Sequence, residues 1–195
     1  MDRSGAPASP GARPDAVADL LRGRRTVDRF LPDAPPQDVL DTALDLARWA
    51  PNHKLTEPWR FYLLGPDTVS GVVSLNARLV ADSKGAEAGE MKRRKWSAIP
   101  GWFVLSCVQD DDALRRREDY AACCCAAQNI MLYLWSRGVG SKWTTGAVTR
   151  DDAFYRLLGI DPALEEVVGL FWYGYPAGEP QSLREPVSQR VQYLK

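Results

Sequence analysis

The chain has 195 residues, 45% of them apolar and 26% charged, with Lys plus Arg equal to Asp plus Glu at 25 each. That length suffices to bury a real core within one domain. The even charge balance excludes the strong basic field that steers a protein to nucleic acid or to an anionic membrane. No apolar run approaches the roughly 20 residues that span a bilayer and no N-terminal leader core is present, so the expected compartment is the cytoplasm.

Residues 1–14 are rich in Pro, Ala, Gly and Ser and are read as a disordered tail ahead of a single domain over 15–195. Residues 15–21 form a predicted short helix with Val17, Leu20 and Leu21 on one face. The next stretch, 22–29, reads Arg-Gly-Arg-Arg-Thr-Val-Asp-Arg. Several guanidinium groups beside the Thr26 hydroxyl suit a phosphate, and a solvated basic loop is the other reading.

A proline-broken linker leads to a predicted helix over 37–50, whose apolar face is Val39, Leu40, Ala43, Leu44, Leu46 and Ala47. It stops before Pro51. Residues 49–59 read Trp-Ala-Pro-Asn-His-Lys-Leu-Thr-Glu-Pro-Trp and hold the single histidine, His53. Two prolines stiffen this helix-to-strand corner, because each fixes φ and lacks a donor. Either it is a loop for a planar, polar-edged ligand, braced by Trp49 and Trp59, or it is a plain corner whose tryptophans fill the core.

Residues 60–64 alternate as a strand ended by Gly65-Pro66, and Asp67 is expected to cap a helix running to about 81. The polar segment 82–98 is loosened by Gly85 and Gly89 and is predicted to be a mobile, substrate-facing excursion. Its Lys92-Arg93-Arg94-Lys95 run reads as a solvated helix face or as a contact for a dinucleotide phosphate. Residues 102–108 form a predicted buried strand.

The longest predicted helix spans 118–137, opened by Glu118 and Asp119 and closed by Arg137 and Gly138. Its 121–127 stretch is small and apolar all round, which predicts burial on every side and favours a dimer interface. Cys123, Cys124 and Cys125 are consecutive and point in different directions on a helix. With no C-x-x-C and one histidine, no metal site is predicted, and the cysteines are expected to pack as small apolar groups. Residues 138–147 lack the order of a Walker motif, but Thr144, Thr145 and Gly146 offer hydroxyls and backbone donors after a short strand. A helix over 149–158 closed by Gly159 and a strand over 167–175 follow, and the tail carries Arg184 and Arg190.

Five separated stretches resemble the FMN-dependent nitroreductases of the small dimeric type. They are Arg24-Arg25-Thr26-Val27-Asp28-Arg29-Phe30; Trp49-Ala50-Pro51-Asn52-His53-Lys54 with Pro58-Trp59-Arg60-Phe61; Glu118-Asp119 through Gln128-Asn129 to Gly138-Val139-Gly140; Trp143-Thr144-Thr145-Gly146-Ala147; and Val167-Val168-Gly169-Leu170 with Tyr173-Gly174-Tyr175-Pro176. They occur in the family's order over about 18–178, and the Pro-x-His-Lys corner is similar to a smaller subgroup.

The resemblance implies an α+β, three-layer homodimer with a central, mostly antiparallel sheet flanked by helices and two flavin sites built across the subunit interface. Arg24, Arg25 and Thr26 would hold the FMN phosphate and ribityl chain, with a late contact from Arg184. Asn52 and His53 would lie along the flavin edge, flanked by Trp49. Trp143, Thr144, Thr145 and Gly146 would line the ring with a backbone N–H near N5. Two residues depart from the family pattern: Asp28 stands where a basic residue is common, which predicts repulsion of the phosphate, and Glu57 replaces the usual Gln.

The implied activity is hydride transfer from NADH or NADPH through FMN to a nitro, quinone or similar electron-poor small-molecule acceptor. The chemistry sits at flavin N5, so no catalytic side chain is expected. The alternatives are a reductive dehalogenase-type flavoenzyme on the same fold, or an FMN-binding dimer acting as a redox sensor or flavin carrier.

Overall fold

The computed structural model describes residues 14–178 and 180–194. The expected tail lies outside the described residues apart from Pro14, which opens helix α1 (Pro14–Gly23). Proline suits that first position because its missing N–H would have no helical partner anyway. Asp15 in the first turn and Arg22 in the last complement the helix dipole. Helix α2 (Gln37–Ala47) buries Leu40, Ala43 and Ala47. Strand β1 (Trp59–Leu63), helices α3 (Pro66–Lys84) and α4 (Ala86–Ser97), strand β2 (Gly101–Val108), helix α5 (Ala113–Ser136), strand β3 (Gly140–Thr144), helix α6 (Asp152–Leu158) and strand β4 (Glu165–Gly174) complete the order. Among the described residues no helix is long and apolar enough to cross a membrane.

The four strands lie in the order β1-β2-β4-β3, every neighbouring pair antiparallel. Their side chains alternate between two cores. One face, under α2 and α5, gathers Leu40, Phe103, Leu105, Ile130, Leu134 and Phe171. The other, under α3, α4 and α6, gathers Val72, Trp96, Trp102, Val104, Phe154 and Trp172. This is the predicted three-layer α+β architecture. Phe154 is fully buried, so Phe154→Ala is expected to cost about 3–5 kcal/mol. A lower midpoint of chemical unfolding at unchanged slope is the readout.

A β-bulge interrupts the central pair. Leu105 faces Gly169 and Ser106 faces Val167, leaving Val168 as the extra residue. The bulge resets the alternation, so Val168 joins the α5 side with Phe171 while Val167 packs on the opposite side with Leu170. The Trp143 indole N–H donates to the Val168 carbonyl at 3.0 Å. The indole fills the place where a Gly169 side chain would begin: a Cβ there would lie 2.1 Å from Trp143 Nε1.

Three helix starts differ from expectation. Pro66 occupies the first turn of α3 with Gly65 before it, so Asp67 lies inside that turn rather than capping it. Helix α5 starts five residues early, because Asp112 accepts the Leu114 N–H at 2.8 Å as its cap. Glu118 and Asp119 are therefore interior to α5. The helix predicted over 149–158 is split into a 3-10 turn (Ala147–Arg150) and α6, since Asp151 caps α6 through the Ala153 N–H. Gly159 closes α6 at φ 67°, as expected.

The expected loose excursion over 82–98 is instead a helix hairpin. Gly85, at φ 91°, separates α3 from α4. Gly89 lets α4 approach α3 closely, since a Cβ there would lie 2.7 Å from both the Ala77 carbonyl oxygen and Ala81 Cβ. Trp96 then anchors α4 against Trp102 and Trp172, at ring separations of 5.5 and 5.1 Å. The basic run faces outward, with Arg93 and Arg94 on Glu90 at 3.5 and 3.1 Å. Such exposed pairs are worth a few tenths of a kcal/mol each.

Helix α5 also departs from burial on all sides. Ala122, Cys123, Ala126 and Ala127 are buried, while Ala121, Cys125 and Gln128 are exposed. Cys123 packs as predicted: the hydrogen bond with Cys107, and then burial, push its thiol far above the ordinary range.

Candidate cofactor site

At the start of edge strand β3, Thr26 bridges Ser141 in parallel, and the Val27 N–H donates to the Ser141 carbonyl at 3.0 Å. Val27 is buried against Gly140, where a Cβ would lie 2.4 Å from its side chain. This contact fixes the turn that carries Arg24 and Arg25. From the other side, Arg184 closes a cavity of about 110 Å³ lined also by Arg24, Arg25, Thr26, Gln181 and Ser182.

Burial, and then the like charges of Arg184 and Arg25, push the Arg24 guanidinium below its ordinary value. Among the described residues no carboxylate pairs with these arginines. Three crowded guanidiniums, a hydroxyl and no counter-ion make a cradle for an anion, and its size and donors fit a phosphate. A second cavity of about 200 Å³ adjoins it, sharing Thr26 and Pro180 and lined by Asp28 and Arg29.

Asp28 does not leave its charge bare toward this cradle. Lys142, on β3, donates to the Asp28 carboxylate and stands 5.0 Å from the centre of the Trp172 ring. That hydrogen bond holds the Asp28 carboxyl below its ordinary value, with burial opposing and the charges of Lys142, Lys95 and Lys92 adding to the effect. The stability from this pair is therefore present above the unfolded carboxylate value and is lost as pH falls through the lower folded one. Asp28→Asn is expected to flatten the acid-side loss of stability below about pH 4. Unfolding of both proteins across that range checks it, the effect being small because Asp28 is half exposed.

Strand β3 leads from this cradle to Thr144 and then to the exposed Thr145–Gly146 turn. The Arg150 guanidinium holds the Thr145 carbonyl at 2.9 Å, and Thr149 holds that of Gly146. From Ser141 to Thr145 an extended chain covers roughly 13 Å. Trp143 is half-buried and its side chain is held by the core. Its ring stacks on Phe171 at 5.3 Å and its N–H is committed to Val168, so the side chain serves the core.

The proline-braced corner lies elsewhere. It enters β1 at Trp59, opposite Cys107 near the far end of β2, whereas Thr26 meets β3 beside Ser141, opposite Tyr173 and hence level with Gly101. β1 and β3 are the two edges of the sheet. The arginine turn and the proline corner thus occupy diagonal corners of one subunit, roughly 20–25 Å apart by strand rise and spacing. One chain does not bring Asn52 and His53 to Arg24 and Thr26, and Thr144, level with Val104, lies on the opposite edge of the sheet from the corner.

Within the corner, Asn52 turns inward. Its Oδ1 accepts the Glu57 N–H at 2.8 Å, and its Nδ2 donates to Thr56 Oγ1 at 3.0 Å and lies 3.4 Å from Asp119 Oδ1. Thr56 in turn donates to Asp119 at 2.5 Å. Three non-glycine residues take left-handed backbone: Lys54 at φ 59°, Leu55 at 52° and Glu57 at 45°. Each costs about 1–2 kcal/mol. The outward side is bare: Trp49 is 74% and Leu55 81% exposed, and His53 is exposed beside them. Sequence reading missed Thr56, Lys142 and the inward role of Asp119. An acidic residue directly ahead of the apolar 120–127 stretch is the signal for the last.

A four-stranded antiparallel sheet flanked by helices, with an arginine-lined cavity beside edge strand β3, defines an α+β protein. The chain belongs to the nitroreductase family, whose family model matches residues 21–175. It is 29% identical over 181 residues to the Bacillus subtilis protein YfhC, provisionally named an NAD(P)H nitroreductase, covering 89% of this chain and 92% of that one. A crystal structure of a nitroreductase-like family protein from Bacillus cereus superposes with a TM-score of 0.83 at 28% identity, covering 97% of this chain and 100% of the other. The FMN-dependent nitroreductase NfnB from Mycobacterium smegmatis, solved in complex with NADPH, shares the fold with a TM-score of 0.72 at 17% identity, covering 93% and 99%.

Proposed function

We propose that the protein is an NAD(P)H-dependent FMN oxidoreductase, working as a homodimer on nitro, quinone or similar electron-poor acceptors. The observation that carries this reading is the uncompensated cluster of Arg24, Arg25 and Arg184 with Thr26, set at the head of a strand whose other end is the Thr144–Gly146 turn. That span matches the length scale of FMN from its phosphate into its ring system. When bound, FMN would supply the hydride acceptance and delivery that no side chain here provides.

The chain's own part is binding and orientation. Arg24, Arg25 and Arg184 would neutralise the phosphate, and the Thr144–Gly146 turn would lie along the ring edge. His53 and the backbone of the 52–57 corner would come from the second subunit, because each chain carries the two half-sites on opposite corners of its sheet. The exposed stripe Ala121, Cys125 and Gln128 on α5 supports such a pairing. The family membership and the names of the relatives support the same reading.

The test is an absorbance spectrum of the purified protein under argon. A yellow protein that bleaches with NADPH or NADH and recolours with a nitroaromatic or a quinone is the expected result. A yellow protein that neither nucleotide bleaches would favour a sensor or carrier, and a colourless protein that refuses added FMN would overturn the flavin reading.

A further inference from the structure

We propose that Asp119 is a positioning residue: through Thr56 and Asn52 it clamps the 52–57 corner in the shape that presents His53 and Leu55 to the flavin of the second subunit. This rests on the dimeric flavin reading above and adds to it a residue that touches neither cofactor nor substrate.

Asp119 is 4% exposed on α5, and among the described residues no cation pairs with it. Its partners are neutral donors, the Thr56 hydroxyl at 2.5 Å and the Asn52 amide at 3.4 Å. Arg60 lines the same small cavity, but its Nη1 is turned to the carbonyls of Glu57 and Trp59. A buried carboxylate without a cation is a poor device for stability, and an apolar residue would serve a packed helix better.

What the carboxylate does hold is a backbone that would not otherwise persist. Lys54, Leu55 and Glu57 are all left-handed, and the segment is tied down at both ends by Asn52 and Thr56. Strain of this kind survives only where surrounding contacts over-determine it. The braced side faces the subunit's own α5, while the side left bare carries Trp49, His53 and Leu55. The geometry therefore fixes the outward presentation of the corner, and the corner is the half-site that one chain cannot use itself.

The experiment is FMN titration of flavin-free protein, followed by quenching of flavin fluorescence, for wild type, Thr56→Val and Thr56→Ser, with thermal unfolding of each flavin-free protein alongside. Thr56 is exposed, so the valine variant keeps the fold's core intact. Thr56→Val is expected to weaken FMN binding by about tenfold to a hundredfold, the worth of one hydrogen bond to a carboxylate. Its unfolding temperature should fall by several degrees at most, as one lost hydrogen bond implies, and Thr56→Ser, which keeps the hydroxyl, should restore both affinity and unfolding temperature. Wild-type affinity in Thr56→Val overturns the clamp alone, as does a large fall in its unfolding temperature that serine does not repair. A wild type that takes up no FMN overturns the clamp together with the reading beneath it.

Discussion

Replacing Arg24 and Arg184 together by alanine is expected to raise the dissociation constant for FMN by about a hundredfold to ten-thousandfold. Each guanidinium would make a charge-assisted hydrogen bond to phosphate, worth roughly 1.5–3 kcal/mol, and every 1.4 kcal/mol is a factor of ten. The flavin-free protein should lose no stability, because burial and the mutual repulsion of Arg24, Arg25 and Arg184 work against the empty cradle. A loss is thus expected in flavin titration and none in unfolding of the flavin-free protein. Lysine at both positions should recover part of the affinity, since it restores charge without the planar two-pronged donor. Unchanged flavin affinity in the double alanine variant would remove the phosphate role from this cradle.

The second large effect falls on stability. Gly169→Ala is expected to destabilise the fold by about 3 kcal/mol or more, the sum of an overpacked core and a lost buried hydrogen bond. The new Cβ would lie 2.1 Å from Trp143 Nε1, and the neighbouring Phe171 ring, at 3.2 Å, leaves the indole little room to retreat. Displacing the indole also frees the Val168 carbonyl that it caps. Chemical unfolding measures the loss, and near-ultraviolet circular dichroism should report the displaced tryptophan. A variant as stable as wild type would mean that the bulge and the indole are not coupled.

The two sites differ in how far local pattern reaches. The arginine turn was legible because Arg24, Arg25 and Thr26 lie next to one another, and their chemistry does not depend on distant partners. Arg184 reaches the same cavity from 160 residues downstream of Arg24, and residue type and the family resemblance pointed to it without placing it. Gly169 was legible as part of a motif, but its reason, an indole arriving from a neighbouring strand, was not.

The corner at 49–59 is stiff, as its two prolines predict, and its polar residues Asn52 and Thr56 turn inward to brace it. Asn52 braces the loop from within, because Asp119 on α5 and the Glu57 N–H stand ready to take its amide. Asp28 was expected to repel a phosphate, and Lys142, 114 residues away, neutralises it. The 82–98 segment was judged by its charges, but Trp96 and the bare backbone of Gly89 decided its packing.

Taken by itself, the sequence determined the alternation of helices and strands, the crowding of arginines in one turn, the braced corner and the family. These follow from periodicity, proline and glycine chemistry, and motifs a few residues long. Tertiary structure alone decided that the arginine turn and the corner lie on opposite corners of one sheet, that Lys142 meets Asp28, and that Asp119 holds Thr56. The physical reason is that strand order and register are set by the summed packing of both faces of the sheet, and no short window of residues carries that sum.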